Sequence, residues 1–179
     1  QHSRLWLLDN NLLAAPNAHE TLTALIKEKV KVDFNQALDI RLVNDETAAL
    51  LVQCSYDTFL RFSFDRLPYE PYIHQGLAAL QVYNFPMSKI MIFLLVGFDT
   101  TLEEDLERIS IIKSYKASPF VMKYKPVNGV EPILKRSMNE LQELARWVNQ
   151  PHGFYKVMTF SEWLKANMQK SGPDEIKVL

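Results

Sequence analysis

The stretch "VDFNQALDIRL", residues Val32 to Leu42, decides how the rest of the chain reads. Its first part alternates like a strand, with Val32 and Phe34 apolar between polar neighbours. The remainder crowds Asn35, Gln36, Asp39 and Arg41 directly behind those apolar positions. A strand that only filled a core would not need so many polar groups at its end. In parallel α/β proteins, by contrast, the C-terminal ends of the strands are where polar groups converge on a ligand.

The same pattern recurs along the chain. "RLWLLD", Arg4 to Asp9, reads as a strand and ends in Asp9, Asn10 and Asn11. "TFLRFSF", Thr58 to Phe64, reads as another and is followed by Asp65 and Arg66. "KIMIFLLVGF" reaches Gly97 and Phe98, then Asp99 and Thr100, and "PFVMKYK", Pro119 to Lys125, carries Met122 and Tyr124. Helical patterns separate these runs. One starts at Asn17, with Glu20 three residues on and Leu22, Leu25 and Ile26 at helical spacing. A second is capped by Asn44 or Asp45 and carries Ala48, Leu51, Val52 and Cys54 on one face. A third has Pro71 in its first turn, and a fourth has the capping box Thr101 with Glu104. Leu134 to Val148 and Ser161 to Gln169 follow as two further helices.

Five strand–helix units in succession predict parallel α/β. Continuous apolar runs such as "IMIFLLVGF" predict a sheet covered on both faces. A doubly wound sheet would carry a glycine-rich phosphate loop early, and neither "DNNLLAAP" nor "DRLPYEP" contains a glycine. A (β/α) barrel needs no such loop. Five units are too few for a complete barrel of eight, so the expectation is an incomplete parallel (β/α) barrel, one domain over residues 1–170, with residues 171–179 as a flexible tail.

Composition narrows the function. The chain has 179 residues, 47% hydrophobic and 23% charged, with a formal net charge of −1, so no basic face speaks for nucleic acid. No apolar run approaches the length of a membrane span, and no signal-peptide pattern opens the chain. The single cysteine, Cys54, allows no intrachain disulfide and fits a reducing cytoplasm. The four histidines are scattered, with no metal-ligand spacing and no nucleophile motif. The candidate site is therefore the row of strand-end groups: carboxylates and amides to accept from hydroxyls or an ammonium, an arginine to pair with a carboxylate, and Gly97 to admit backbone close to a ligand. Asn, Asp and Thr after strands serve equally as turn and cap residues, a reading that stays open for Asn10, Asn11 and Asp99 to Thr101. Asp39 with Arg41 is harder to read that way, because no helix is expected before Asn44.

Taken in order, "LWLLDNN", "VDFNQALDIRLVNDETAALL", "FLRFSFDR", "IMIFLLVGFDTTLEEDLERI", "PFVMKYKP" and "ELARWVNQ" resemble the radical S-adenosylmethionine superfamily. The nearest likeness is to its bacterial and phage-associated members with the phrase "DFNQGLDIR". The resemblance implies a partial (β/α)6 barrel in which a [4Fe–4S] cluster cleaves S-adenosylmethionine reductively to a 5′-deoxyadenosyl radical. It implies a cofactor-lining role for Asn35, Gln36, Asp39, Arg41, Asp65, Gly97, Met122 and Tyr124, with Asn10 and Asn11 facing substrate. The "FLLVGFDT" version of the family's "GxIxGxxE"-like strand keeps only its second glycine, Gly97. The three-cysteine cluster loop is missing from this sequence. The first strand here matches the family's second, so the resemblance implies a piece lacking the βα unit that holds the cluster, inactive by itself; Gln1 as first residue accords with that. Two alternatives stand beside it. One is a short degenerate barrel that binds or assembles, dimerising through an exposed barrel edge. The other is a different barrel enzyme using Asp39 and Asp65 as an acid–base pair.

Overall fold

The computed structural model describes residues 3–8, 11–126, 129–150 and 153–168. Asp9 and Asn10, and the expected tail 171–179, lie outside the described residues. The elements follow the expected alternation: β1 (Arg4–Leu7), α1 (Ala18–Glu28), β2 (Lys31–Phe34), α2 (Asp45–Leu51), β3 (Ser55–Tyr56), β4 (Leu60–Ser63), α3 (Glu70–Val82), β5 (Ile90–Val96), α4 (Leu102–Ser114), β6 (Ser118–Lys123), α5 (Met138–Asn149) and α6 (Phe160–Met168). No described helix is long and apolar enough to cross a membrane.

Among the described residues all pairings are parallel, in two three-stranded sheets, β1-β2-β3 and β4-β5-β6. The sheets share a seam. Lys31 pairs with Ser55 and Val32 with Tyr56, and beyond β2 a single bridge joins Leu38 to Phe62. Every one of these pairs has the same offset of 24 residues. Residues 55–62 therefore run beside 31–38 in one register, as one strand interrupted between Tyr56 and Leu60. The expected third strand, Thr58 to Phe64, is thus corrected: the pairing starts earlier, at Ser55, and breaks before resuming. The resulting strand order follows the sequence without reversal, unlike a doubly wound sheet, whose order switches partway.

Burial alternates strictly along the inner strands. Val32 and Phe34, Leu60 and Phe62, and Ile90, Ile92, Leu94 and Val96 are buried, while Asp33, Arg61, Ser63, Met91, Phe93 and Leu95 between them are half-buried. The buried face meets the helices; Leu22, Ala48, Leu51, Ile73, Leu77, Leu80, Ile109, Ile112 and Leu144 join it in one core. The expectation of a sheet covered on both faces is corrected by this alternation. The other face is open and mixed: Met91, Phe93 and Leu95 share it with the Asp33–Arg61 ion pair and Ser63, and at its margins Trp6 is 72% and Met122 45% exposed. Apolar composition alone could not separate a covered face from an uncovered one.

Local chemistry sets most boundaries. Asn44 with Thr47, and Thr101 with Glu104, each form a reciprocal capping box, satisfying amides the first helical turn leaves without partners. At Asn17 the side chain makes no cap bond. α2 ends at Leu51, so Cys54 sits in the following turn rather than on the helix, though buried as expected. α5 begins at Met138, four residues after Leu134.

Candidate functional site

The C-terminal ends of β1, β2 and β4 meet around a cavity of about 230 Å³ lined by Asn11, Ala37, Asp39, Ile40, Arg41, Ser63, Asp65 and Tyr69. The segment that opens the sequence argument builds one wall. After Phe34, Asn35 N–H donates to Leu7 C=O at 3.2 Å and Leu38 N–H to Arg61 C=O at 2.8 Å. That swing from one neighbour to the other turns Asp39 to the cavity. Asp39 then caps a short 3-10 helix, Ile40–Leu42, by accepting from Arg41 N–H at 3.0 Å. The expectation that no helix begins before Asn44 is corrected here, and the cap explains part of the local polarity.

The cap does more than end a turn. Arg41 Nε donates to Asp39 Oδ1 at 2.9 Å and Nη2 to Oδ2 at 2.7 Å, a bidentate pair. The Arg41 side-chain hydrogen bonds hold the Asp39 carboxyl below its usual range, and the pair raises the arginine. The guanidinium lies 5.1 Å from the Tyr69 ring centroid. Asn11 Oδ1 accepts from Asp39 N–H at 3.2 Å, tying the loop after β1 to the same wall. Behind it, Gly76 of α3 leaves room for Ile40: a Cβ there would lie 2.5 Å from Ile40 Cγ1.

Asp65 forms the opposite wall. Its Oδ1 accepts from Leu95 N–H at 3.2 Å, standing in for a ladder carbonyl where β4 has ended. Its Oδ2, and the hydroxyl of Ser63 on the same strand face, meet no hydrogen-bond partner among the described residues. An acceptor and a hydroxyl are thus left facing the cavity, beside a cation already held by its own carboxylate. Asp39 locked to Arg41 stays ionised, so it suits orientation and acceptance better than giving a proton.

Other sequence candidates fall elsewhere. Asn35 and Gln36 are exposed and do not line the cavity. Gly97 adopts φ +82°, and a Cβ there would lie 2.6 Å from Leu141 Cδ1, so α5, not a ligand, occupies that space. Met122 lies on the open sheet face opposite Leu95. Tyr124 packs on Phe98, ring centroids 4.7 Å apart, and donates to Val130 C=O at 2.8 Å.

Sequence reasoning missed two groups. Ser63 was legible, since it precedes Asp65 by two residues and so shares its strand face. The second is a buried ionic cluster behind Asp65. Asp105 and Arg108 are fully buried. Arg108 Nη1 donates to Phe64 C=O at 2.5 Å, and Nη2 to Leu95 C=O at 3.1 Å and to Asp105. Arg136 Nη1 reaches Asp105 Oδ2 at 2.5 Å and Thr100 C=O at 3.1 Å, and its Nε reaches Glu140 at 2.7 Å. The signal was present: Asp105, Arg108, Ile109 and Ile112 follow the i, i+3, i+4, i+7 stripe of a buried helix face.

In fold, the chain resembles Streptococcus suis SuiB. Two solved SuiB structures, one bound to S-adenosylmethionine, match 93% of this chain with a TM-score of 0.57 and 15% sequence identity. The chain spans 37% and 36% of those two SuiB chains, little more than a third of their length. No protein-family profile and no curated protein matches the sequence.

Proposed function

We propose that this chain is the wall of a radical S-adenosylmethionine-type partial barrel, and that the cavity between the ends of β1, β2 and β4 seats part of S-adenosylmethionine. The observation that carries the reading is the meeting of Asn11, Asp39, Arg41 and Asp65 from three successive strand ends, with Asp65 Oδ2 and Ser63 Oγ unpartnered among the described residues and facing the cavity. The strand order without reversal is what a barrel wall has, and the fold match to a protein seen with S-adenosylmethionine supports it. Carboxylate and hydroxyl suit ribose hydroxyls or an ammonium. At about 230 Å³ the cavity is smaller than sites that enclose a whole drug-sized ligand, so it holds one portion of the molecule.

The residues do not fit an iron–sulfur cluster. Such a cluster needs several thiolates, and the chain has one cysteine, buried after α2 with its thiol pushed up to about 11 by desolvation. Among the described residues no group of three potential metal ligands comes together. No step of reductive cleavage is therefore assigned to this chain, which binds the cofactor without cleaving it. The outer edge of β1 is open to a further strand: β1 pairs only with β2 among the described strands, and Leu5 and Trp6 on it are exposed.

Calorimetric titration of the chain with S-adenosylmethionine tests the reading. Saturable binding is expected, weakened about tenfold or more in Asp65→Asn, since a hydrogen bond to a charged group is worth roughly 1.5–3 kcal/mol. Binding that ignores this substitution, or no saturable binding, overturns it. The exposed edge also favours a second reading, in which two copies of this chain associate through β1.

A further inference from the structure

Asp65 is aimed by groups that never touch the cavity. It leaves the chain at the Phe64–Asp65 peptide, whose carbonyl accepts from Arg108 Nη1. Its Oδ1 is fixed by Leu95 N–H, and the carbonyl of that same Leu95 accepts from Arg108 Nη2. One buried guanidinium thus fixes both the root of the Asp65 side chain and the residue its carboxylate leans on. Arg108 is held in turn by Asp105, whose Oδ1 also accepts from Thr100 Oγ1 at 2.8 Å and whose Oδ2 accepts from Arg136. Arg136 comes from the segment between β6 and α5. That segment is anchored by Leu134 N–H on Phe98 C=O at 2.9 Å, and by Arg136 on Thr100 C=O. With Glu140 the cluster holds two cations and two anions, so its charge is balanced and burial is tolerated only while every member stays in place.

We infer that Arg108 is a positioning residue for Asp65, and that Arg136 couples the seating of residues 129–137 to the direction in which Asp65 presents its open oxygen. Residues 129–137 then regulate the pocket from behind: when Arg136 leaves Asp105, the carboxylate that holds Arg108 loses its second anchor at Oδ2, and Arg108, the common anchor of the ends of β4 and β5, is held less firmly. The inference deepens the S-adenosylmethionine reading and rests on it for its binding readout.

The test is a double-mutant cycle on the full chain, with S-adenosylmethionine as probe. Arg136→Gln and Arg108→Lys, whose single ammonium cannot serve two carbonyls as the guanidinium fork does, are each made alone and with Asp65→Asn. Contacting networks couple strongly, so each is expected to weaken binding about tenfold in the parent chain and less than about twofold once Asp65 is Asn. A merely structural role would give the same loss in both backgrounds, and that result overturns the inference. Should Arg108→Lys not fold, Arg136→Gln alone carries the cycle. The second readout needs no ligand: hydrogen exchange at the Leu95 amide, the proton held by Asp65, should quicken in Arg136→Gln while Ile92 and Leu94 stay slow. If the parent chain does not bind S-adenosylmethionine, the proposed function fails, and the Leu95 amide alone decides: unchanged exchange there overturns the inference, selective quickening sustains it.

Discussion

Asp39 and Arg41 show what one pair of side chains contributes to this fold. The Asp39 carboxylate caps the 3-10 helix and closes the bidentate bond, and the Asp39 backbone N–H donates to Asn11 Oδ1. Because the arginine bonds lower the Asp39 pKa in the folded chain, the sign is fixed: the pair stabilises above the unfolded carboxyl pKa of about 3.9 and its contribution is lost as pH falls through the lower folded value. Thermal unfolding between pH 5 and pH 2 should therefore show a smaller acid loss in Asp39→Asn than in the parent; equal losses would remove the pair from the account. Cys54 gives a second residue-scale prediction. Desolvation moves its thiol from 9.0 to about 11, which leaves about a hundredfold less thiolate at neutral pH. A higher-pKa thiolate is also the better nucleophile, so disulfide-exchange labelling of the native chain should be slower than that of the denatured chain by about tenfold or more; equal rates would remove the desolvation from the account. Much at this scale was legible. Asp39, Arg41, Asp65 and Asn11 announced themselves by following apolar strands. The double duty of Asp39 as cap and ion-pair partner did not, because a 3-10 turn of three residues leaves no periodicity to read.

At the scale of elements, two glycines decide how helices meet the sheet ends. Gly97 combines φ +82° with a Cβ position 2.6 Å from Leu141, so Gly97→Ala must strain the backbone and displace α5. A loss of roughly 2–3 kcal/mol in denaturant-induced unfolding is expected. Gly76 admits Ile40 onto α3, so Gly76→Ala should both destabilise the fold and shift the Asp39–Arg41 wall. α4 carries the buried charges. Asp105→Ala would leave the Arg108 guanidinium buried without its carboxylate, and breaking such a pair costs about 3–5 kcal/mol, the largest loss expected of any single substitution named here. Element identities were readable because capping boxes and helical spacing act over a few residues. The break between β3 and β4 was not, since "TFLRFSF" is apolar enough to pass as one strand. The interruption comes from tertiary pairing with residues 31–38, which no local pattern records.

At the scale of the whole molecule, the constant register across the seam makes two short sheets into one wall with an order that follows the chain. One face is sealed by helices and the other is left open, bounded by β1 with Trp6 exposed and β6 with Met122 exposed. An edge strand of that kind invites another strand. On the second reading, association of two copies through β1, sedimentation of the chain should show concentration-dependent self-association that Trp6→Lys abolishes; a monomer at every concentration contradicts that reading. Sequence alone could place the polar strand ends on one side of a parallel sheet, because parallel strands put their C-termini together. It could not say which of them meet, since that depends on the swing of residues 35–38 from β1 to β4. The most direct test is to map S-adenosylmethionine onto the backbone amides of the chain by nuclear magnetic resonance. Saturable shifts centred on Asn11, Asp39, Ser63, Asp65 and Tyr69 are predicted. Saturable shifts confined to another face of the molecule, or none at millimolar ligand, would contradict the strand-end pocket as the site.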